Sequence, residues 1–106
     1  MNFAVSGGKT PWKMLRALAE EDVPWEGVHI LQVDERLAPD GHPDKNMTHL
    51  LESLTGVVHL LAGHIHAMPV EENDPAAAAA SYAQTIREIA GSGAILDLIH
   101  LGLGPD

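Results

Sequence analysis

Phe3-Ala4-Val5-Ser6-Gly7-Gly8-Lys9-Thr10-Pro11 places a short apolar run, a glycine pair and a helix-start signal in immediate succession. That order predicts a strand, a glycine loop and a helix. Thr10 suits an N-cap and Pro11 the first helical position, because proline lacks the N–H that would be orphaned there anyway. Met14, Leu15 and Leu18 then mark one buried helix face.

Further along, Val28 to Val33 reads Val-His-Ile-Leu-Gln-Val and ends in Asp34-Glu35-Arg36. Its nearly continuous apolar character is that of a strand covered on both faces. Leu37 to Lys45 holds Pro39, Pro43, Gly41, Asp40 and Asp44 and is expected to be a loop. Met47, Leu50, Leu51 and Leu54 recur at helical spacing, with Asn46 near the start of that helix. His64 to Val70 reads as another short strand. Asp74-Pro75 opens a helix carrying Ala79, Tyr82, Ile86 and Ile89 on one side, ended by Gly91 and Gly93. The alanines from Ala76 to Ala80 need no role beyond helix preference. Ile95 to Leu101 is a last apolar run before Gly102-Leu103-Gly104-Pro105-Asp106.

Strands alternating with helices imply right-handed crossovers and a parallel sheet, the doubly wound α/β class. In such folds ligands collect at the carboxyl ends of strands. Three loops are therefore singled out: Ser6 to Thr10, Asp34 to Arg36, and Gly102 to Asp106.

With 106 residues, 45% hydrophobic and 20% charged, the chain is the size and make-up of one small globular domain. Fifteen Asp and Glu against six Lys and Arg give a net charge of -9, a field that repels phosphate backbones and anionic lipid. Nucleic acid and membrane surfaces are therefore not expected partners. A small anion is admissible only where basic side chains and backbone N–H groups converge. Without cysteine there is no disulfide, no thiol nucleophile and no Cys-based zinc site. The N-terminus has no secretory pattern, and no run approaches the roughly 18 apolar residues that span a bilayer. A cytoplasmic location is expected.

Ser6, Gly7, Gly8, Lys9 and Thr10 lie between a strand and a helix N-terminus, where glycines allow close backbone approach and free N–H groups face an anion. Phosphate binding and a plain tight turn both fit this stretch, and Lys9 favours phosphate. A Walker A loop does not fit, because Phe3 stands where its first glycine is needed and Pro11 follows the threonine. Asp34-Glu35-Arg36 sets a guanidinium beside two carboxylates, so that Arg36 could clamp an oxyanion and a carboxylate orient it. Of the seven histidines, His64 and His66 share a strand face but have no third ligand with metal spacing. His29, His49, His59 and His100 read as packing or edge residues, whereas the loop residue His42 could act as a base or ligand. Trp12 and Trp25 are expected to cover core.

Taken together and in order, Ser6-Gly7-Gly8-Lys9-Thr10-Pro11, Val33-Asp34-Glu35-Arg36, His42-Pro43-Asp44-Lys45-Asn46 and Leu101-Gly102-Leu103-Gly104-Pro105-Asp106 resemble the 6-phosphogluconolactonase family. The resemblance implies a Rossmann-like three-layer α/β/α fold with a mainly parallel sheet, here incomplete at both ends, so that residues 1–106 form a single partial domain. It implies hydrolysis of the sugar-phosphate lactone 6-phosphogluconolactone in the pentose phosphate pathway, with no metal and no cofactor. Arg36 and Asp34 would then be catalytic and Ser6 to Thr10 would bind the substrate phosphate. Asn46, Gly104 and Asp106 would support the loops. Lys9 and Lys45 stand where the family commonly has serine, and both add positive charge. The family's general-base histidine would fall beyond Asp106, so an internal fragment or truncated reading frame is expected, one that self-associates through uncovered sheet surface or is only marginally stable. A glucosamine-6-phosphate deaminase-like enzyme, in which the residue following the Asp-Glu pair, Arg36 here, is typically tyrosine, and a non-catalytic sugar-phosphate-binding fragment are the alternatives.

Overall fold

The computed structural model describes residues 1–102. Its elements, in chain order, are β1 (Asn2–Val5), α1 (Lys9–Leu18), β2 (His29–Gln32), α2 (Asn46–Ser53), β3 (Ile65–His66), α3 (Pro75–Ala90) and β4 (Leu98–His100), with single 3-10 turns at Trp25–Gly27 and Val58–Leu61. The alternation expected from the sequence is present. The strands form one sheet in the order β3-β2-β1-β4, and every pairing is parallel.

The register explains the burial. Adjacent residues in parallel strands share a face, so Phe3, Val5 and Ile30, with Ile65 opposite Ile30, project to one side of the sheet. There they form the core with Leu15 of α1, Leu50 and Leu54 beside α2, Trp25, Val28, Val57 and Leu61. Met14 and Leu18 pack against this core, completing the expected face of α1. On α2, Leu51 departs from expectation and is exposed. A helix laid on one sheet face buries only one stripe, and Leu50 and Leu54 occupy it. Ala4 and Leu31 alternate to the other side of the sheet and are buried as well.

The chain steps from β1 to β2 to β3 in one direction and then returns to the far side of β1 to lay down β4. Right-handed crossovers then put α1 and α2 on one face and α3 on the other, and make the carboxyl end between β1 and β4 a topological switch point. The glycine loop leaves β1 at that point.

Two local expectations change. Thr10 is not the N-cap of α1. Gly8, at φ 129°, turns the chain into the helix earlier, which begins at Lys9 and leaves Thr10 exposed on its first turn. The run His64 to Val70 contributes only the two residues of β3, because the Met68 amide donates to the Gln32 side chain at 2.8 Å instead of continuing the ladder. Asp74 and Pro75 do open α3, and the Asp74 carboxylate accepts from the Ala76 amide at 3.0 Å.

Candidate functional site

At the carboxyl edge of the sheet, the loops after β1 and β2 and Gly102 after β4 meet around the glycine pair. The Ser6 amide donates to the His100 carbonyl at 3.0 Å, tying the end of β1 to the end of β4. Gly102 lies beside Ser6, where an added Cβ would be 3.6 Å from the Ser6 hydroxyl. That hydroxyl is buried and has no hydrogen-bond partner among the described residues. Gly7 faces the first residue of α2: a Cβ at position 7 would fall 2.2 Å from Asn46 Oδ1, so any larger residue there would displace the Asn46 side chain. Gly8 caps α1 with no side-chain hydrogen bond, and Pro11 has no N–H, so the Lys9 and Thr10 amides open the helix without a capping side chain. The Lys9 side chain is exposed there.

The loop after β2 is organised by Glu35. Its carboxylate accepts from the Arg36 amide at 2.7 Å, the Asn46 amide at 2.6 Å, the Met47 amide at 2.9 Å and the Gln32 side chain at 2.9 Å. Burial alone would raise its pKa, but these donors outweigh that and hold it below its ordinary value. Glu35 thus caps α2 from a distance. Asn46 Nδ2 donates to the Asp34 carbonyl at 3.3 Å, so the Asp34-Glu35-Arg36 turn, the start of α2 and Gly7 are joined through Asn46. The Asp34 and Arg36 side chains point outward and are exposed. Gly104 and Asp106 lie outside the described residues.

Other expected participants are engaged elsewhere. His42 Nδ1 accepts from the Asp44 amide at 3.0 Å, stabilising its own loop. Lys45, which the sequence presents as extra positive charge for an anion, is buried in ion pairs with Asp40 and Glu71. His49 stacks on Trp12 with ring centroids 4.2 Å apart, joining α1 to α2. His64 and His66 do share a face, and β2 brings His29 to them: its ring stacks on His64 at 4.2 Å and its Nδ1 is 2.9 Å from His66 Nε2. Burial first, then neighbouring positive charge, lowers the pKa of both His29 and His66, so these two rings favour the neutral form. Among the described residues no group of three or more His, Asp or Glu is arranged to hold a metal ion.

Two anchors had no local sequence signal. Glu35 lies eleven residues before the helix it caps. Tyr82 of α3 donates its hydroxyl to the Gln32 carbonyl at 2.7 Å and accepts from the Gln32 amide at 2.6 Å, completing the edge of β2 where β3 has ended. Burial pushes its phenol pKa up.

With this arrangement in place, comparison with known proteins is decisive. Residues 1–106 match the family described as glucosamine-6-phosphate isomerases/6-phosphogluconolactonase. This chain belongs to that family. A 6-phosphogluconolactonase from a Nostoc species is 36% identical over 108 residues, covering 98% of this chain and 45% of the relative. One from Synechocystis is 36% identical with the same coverage. The solved 6-phosphogluconolactonase from Thermotoga maritima superposes with a TM-score of 0.84 at 29% identity, over 100% of this chain and 47% of its own. The chain therefore spans about half the length of the family members it matches. Their fold is the α/β fold expected from the four motifs, and among the described residues no helix is long and apolar enough to cross a membrane.

Proposed function

We propose that the protein acts as a 6-phosphogluconolactonase, hydrolysing 6-phosphogluconolactone to 6-phosphogluconate in the pentose phosphate pathway. The observation that carries this reading is the glycine loop at the topological switch point, held against Asn46 by the Gly7 contact. Among the described residues the Lys9 and Thr10 amides have no hydrogen-bond partner, and such a helix start beside an exposed Lys9 attracts an anion. Ser6, Gly7, Gly8, Lys9 and Thr10 hold the sugar phosphate in this proposal, and Arg36 stabilises the oxyanion that forms as water attacks the ring carbonyl. Asp34 orients that exchange, while Asn46 supports the loops. The reaction needs no cofactor and no metal. Of the His42 ring nitrogens, Nε2 is the one left to take a proton from water, since Nδ1 is engaged by Asp44. A cytoplasmic location accompanies this reading, because phosphorylated sugars are charged and stay where they are made.

The test is hydrolysis of freshly generated 6-phosphogluconolactone, coupled to 6-phosphogluconate dehydrogenase and corrected for spontaneous opening. A rate above background is expected, falling on the order of a hundredfold in Arg36→Ala as an oxyanion donor is lost. A background rate overturns hydrolysis by this chain, and calorimetry with 6-phosphogluconate then separates a sugar-phosphate-binding protein from one without that ligand. Ammonia release from glucosamine 6-phosphate would move the chain to the deaminase side of the family.

A further inference from the structure

Lysine is among the residues least often buried, yet the side chain of Lys45 is only 2% exposed. Its Nζ donates to Asp40 Oδ1 at 2.5 Å and to Glu71 Oε1. Burial alone would favour loss of its proton. The hydrogen bonds and negative charges of the two carboxylates outweigh burial and raise its pKa above the ordinary value, so it remains an ammonium.

These partners come from different parts of the chain. Asp40 lies near the tip of the loop joining β2 to α2, Lys45 is the N-cap of α2, and Glu71 belongs to the segment between β3 and α3. Within the loop the hydrogen bonds are short-range: Ala38 amide to Arg36 carbonyl, His42 amide to Pro39 carbonyl, and Asp44 amide to the His42 ring. Thr48 and His49 bind the carbonyls of His42 and Pro43, which fixes the loop's end to α2 but leaves its tip alone. Among the described residues, the Lys45 ammonium is the polar tie between that tip and a separate element. The loop it secures begins at Arg36 and ends at Asn46, and Glu35 binds the backbone amides of both.

We infer that Lys45 is a positioning residue, whose ion pairs with Asp40 and Glu71 hold the loop from Arg36 to Asn46 in place beside the glycine loop. It is not a phosphate contact. Only its consequence for turnover rests on the lactonase reading; the anchoring of the loop stands on the geometry alone. Without the ammonium, Asp40 and Glu71 would be two like charges converging on one space, so the loop would be repelled as well as untied. Because both carboxylates are largely solvent-exposed, at 85% and 55%, dissolved salt reaches the pair and weakens it.

Amide hydrogen exchange followed by NMR tests the anchoring. Lys45→Met keeps the length of the side chain and suits a buried site, and Glu71→Gln removes one charge at an exposed position. Exchange at the Ala38 and His42 amides is expected to be about tenfold faster in Lys45→Met, and faster also in Glu71→Gln, as a charge-assisted hydrogen bond is lost. The amides of Ile30 and Leu31 in β2 should keep their protection in Glu71→Gln. Molar salt should speed the same loop amides in the wild-type protein, whereas in Lys45→Met, where it screens only the repulsion between Asp40 and Glu71, it should slow them or leave them unchanged. Unchanged Ala38 and His42 exchange in both variants, or equal salt response, overturns the inference. A second arm compares 6-phosphogluconolactone with gluconolactone. In Lys45→Met, kcat should fall while the preference for the phosphorylated lactone, as a ratio of kcat/KM values, stays within about twofold. Collapse of that preference would make Lys45 a phosphate contact and overturn its positioning role. A wild-type rate at background defeats the lactonase reading, and the exchange measurements still decide the role of Lys45.

Discussion

Glu35 shows how one carboxylate can serve several backbone groups at once. It accepts from three amides and one side-chain amide, and two of those amides open α2. Glu35→Gln puts an amide donor against backbone donors and is expected to cost about 1–3 kcal/mol at neutral pH. Because the folded-state pKa of Glu35 is depressed, the stability it contributes is present above its ordinary value of 4.5 and is lost as pH falls from there through the folded value. Urea unfolding of both proteins should therefore show a gap at pH 7 that closes on acidification below about 4.5. A gap independent of pH would remove the carboxylate charge from the account. Beside it, Asp34 and Arg36 were legible as a polar turn at a strand end, but the triplet did not reveal that its middle residue turns inward while its neighbours face solvent. Lys45 is the sharper case: its type and loop position suggest an anion contact, and partners five and twenty-six residues away bury it instead.

At the scale of elements, periodicity located every strand and helix, and long-range hydrogen bonds decided where they stop. The apolar run from His64 to Val70 could have extended β3. Instead Gln32 takes the Met68 amide through its side chain, and Tyr82 takes the Gln32 backbone groups. A phenol from α3 thus stands in for the next residue of a strand. Tyr82→Phe leaves a buried N–H and C=O without that partner and should lower unfolding free energy by about 1–3 kcal/mol, read from urea midpoints at unchanged slope. A loss below a few tenths would mean that water satisfies Gln32 equally well. At α1, the Thr10-Pro11 signal marked the helix start correctly to within two residues, and the positive φ of Gly8 displaced it.

For the whole molecule, the strand order matters most. Among the described residues β4 is the outermost strand beyond β1, and Leu98 and Ile99 are 47% and 49% exposed, with Leu101 at 64%. An exposed apolar edge strand presents unpaired backbone groups to another chain. Sedimentation should show concentration-dependent association that Ile99→Lys reduces; a monodisperse wild-type monomer over the same range would contradict it. The same order, β3-β2-β1-β4, puts β1 between β2 and β4 and so brings the loops after β1 and β2 and Gly102 after β4 to one edge of the sheet. By itself, the sequence determined the α/β class, the sites of the loops and their glycine and charged residues, because strand and helix periodicity and turn chemistry are local properties. Only the tertiary structure decided that β4 returns beside β1, that Asn46 fills the space a side chain at Gly7 would need, and that Lys45 is a buried tie. Each of those depends on which distant residues meet, and that is settled by packing the whole chain around one core.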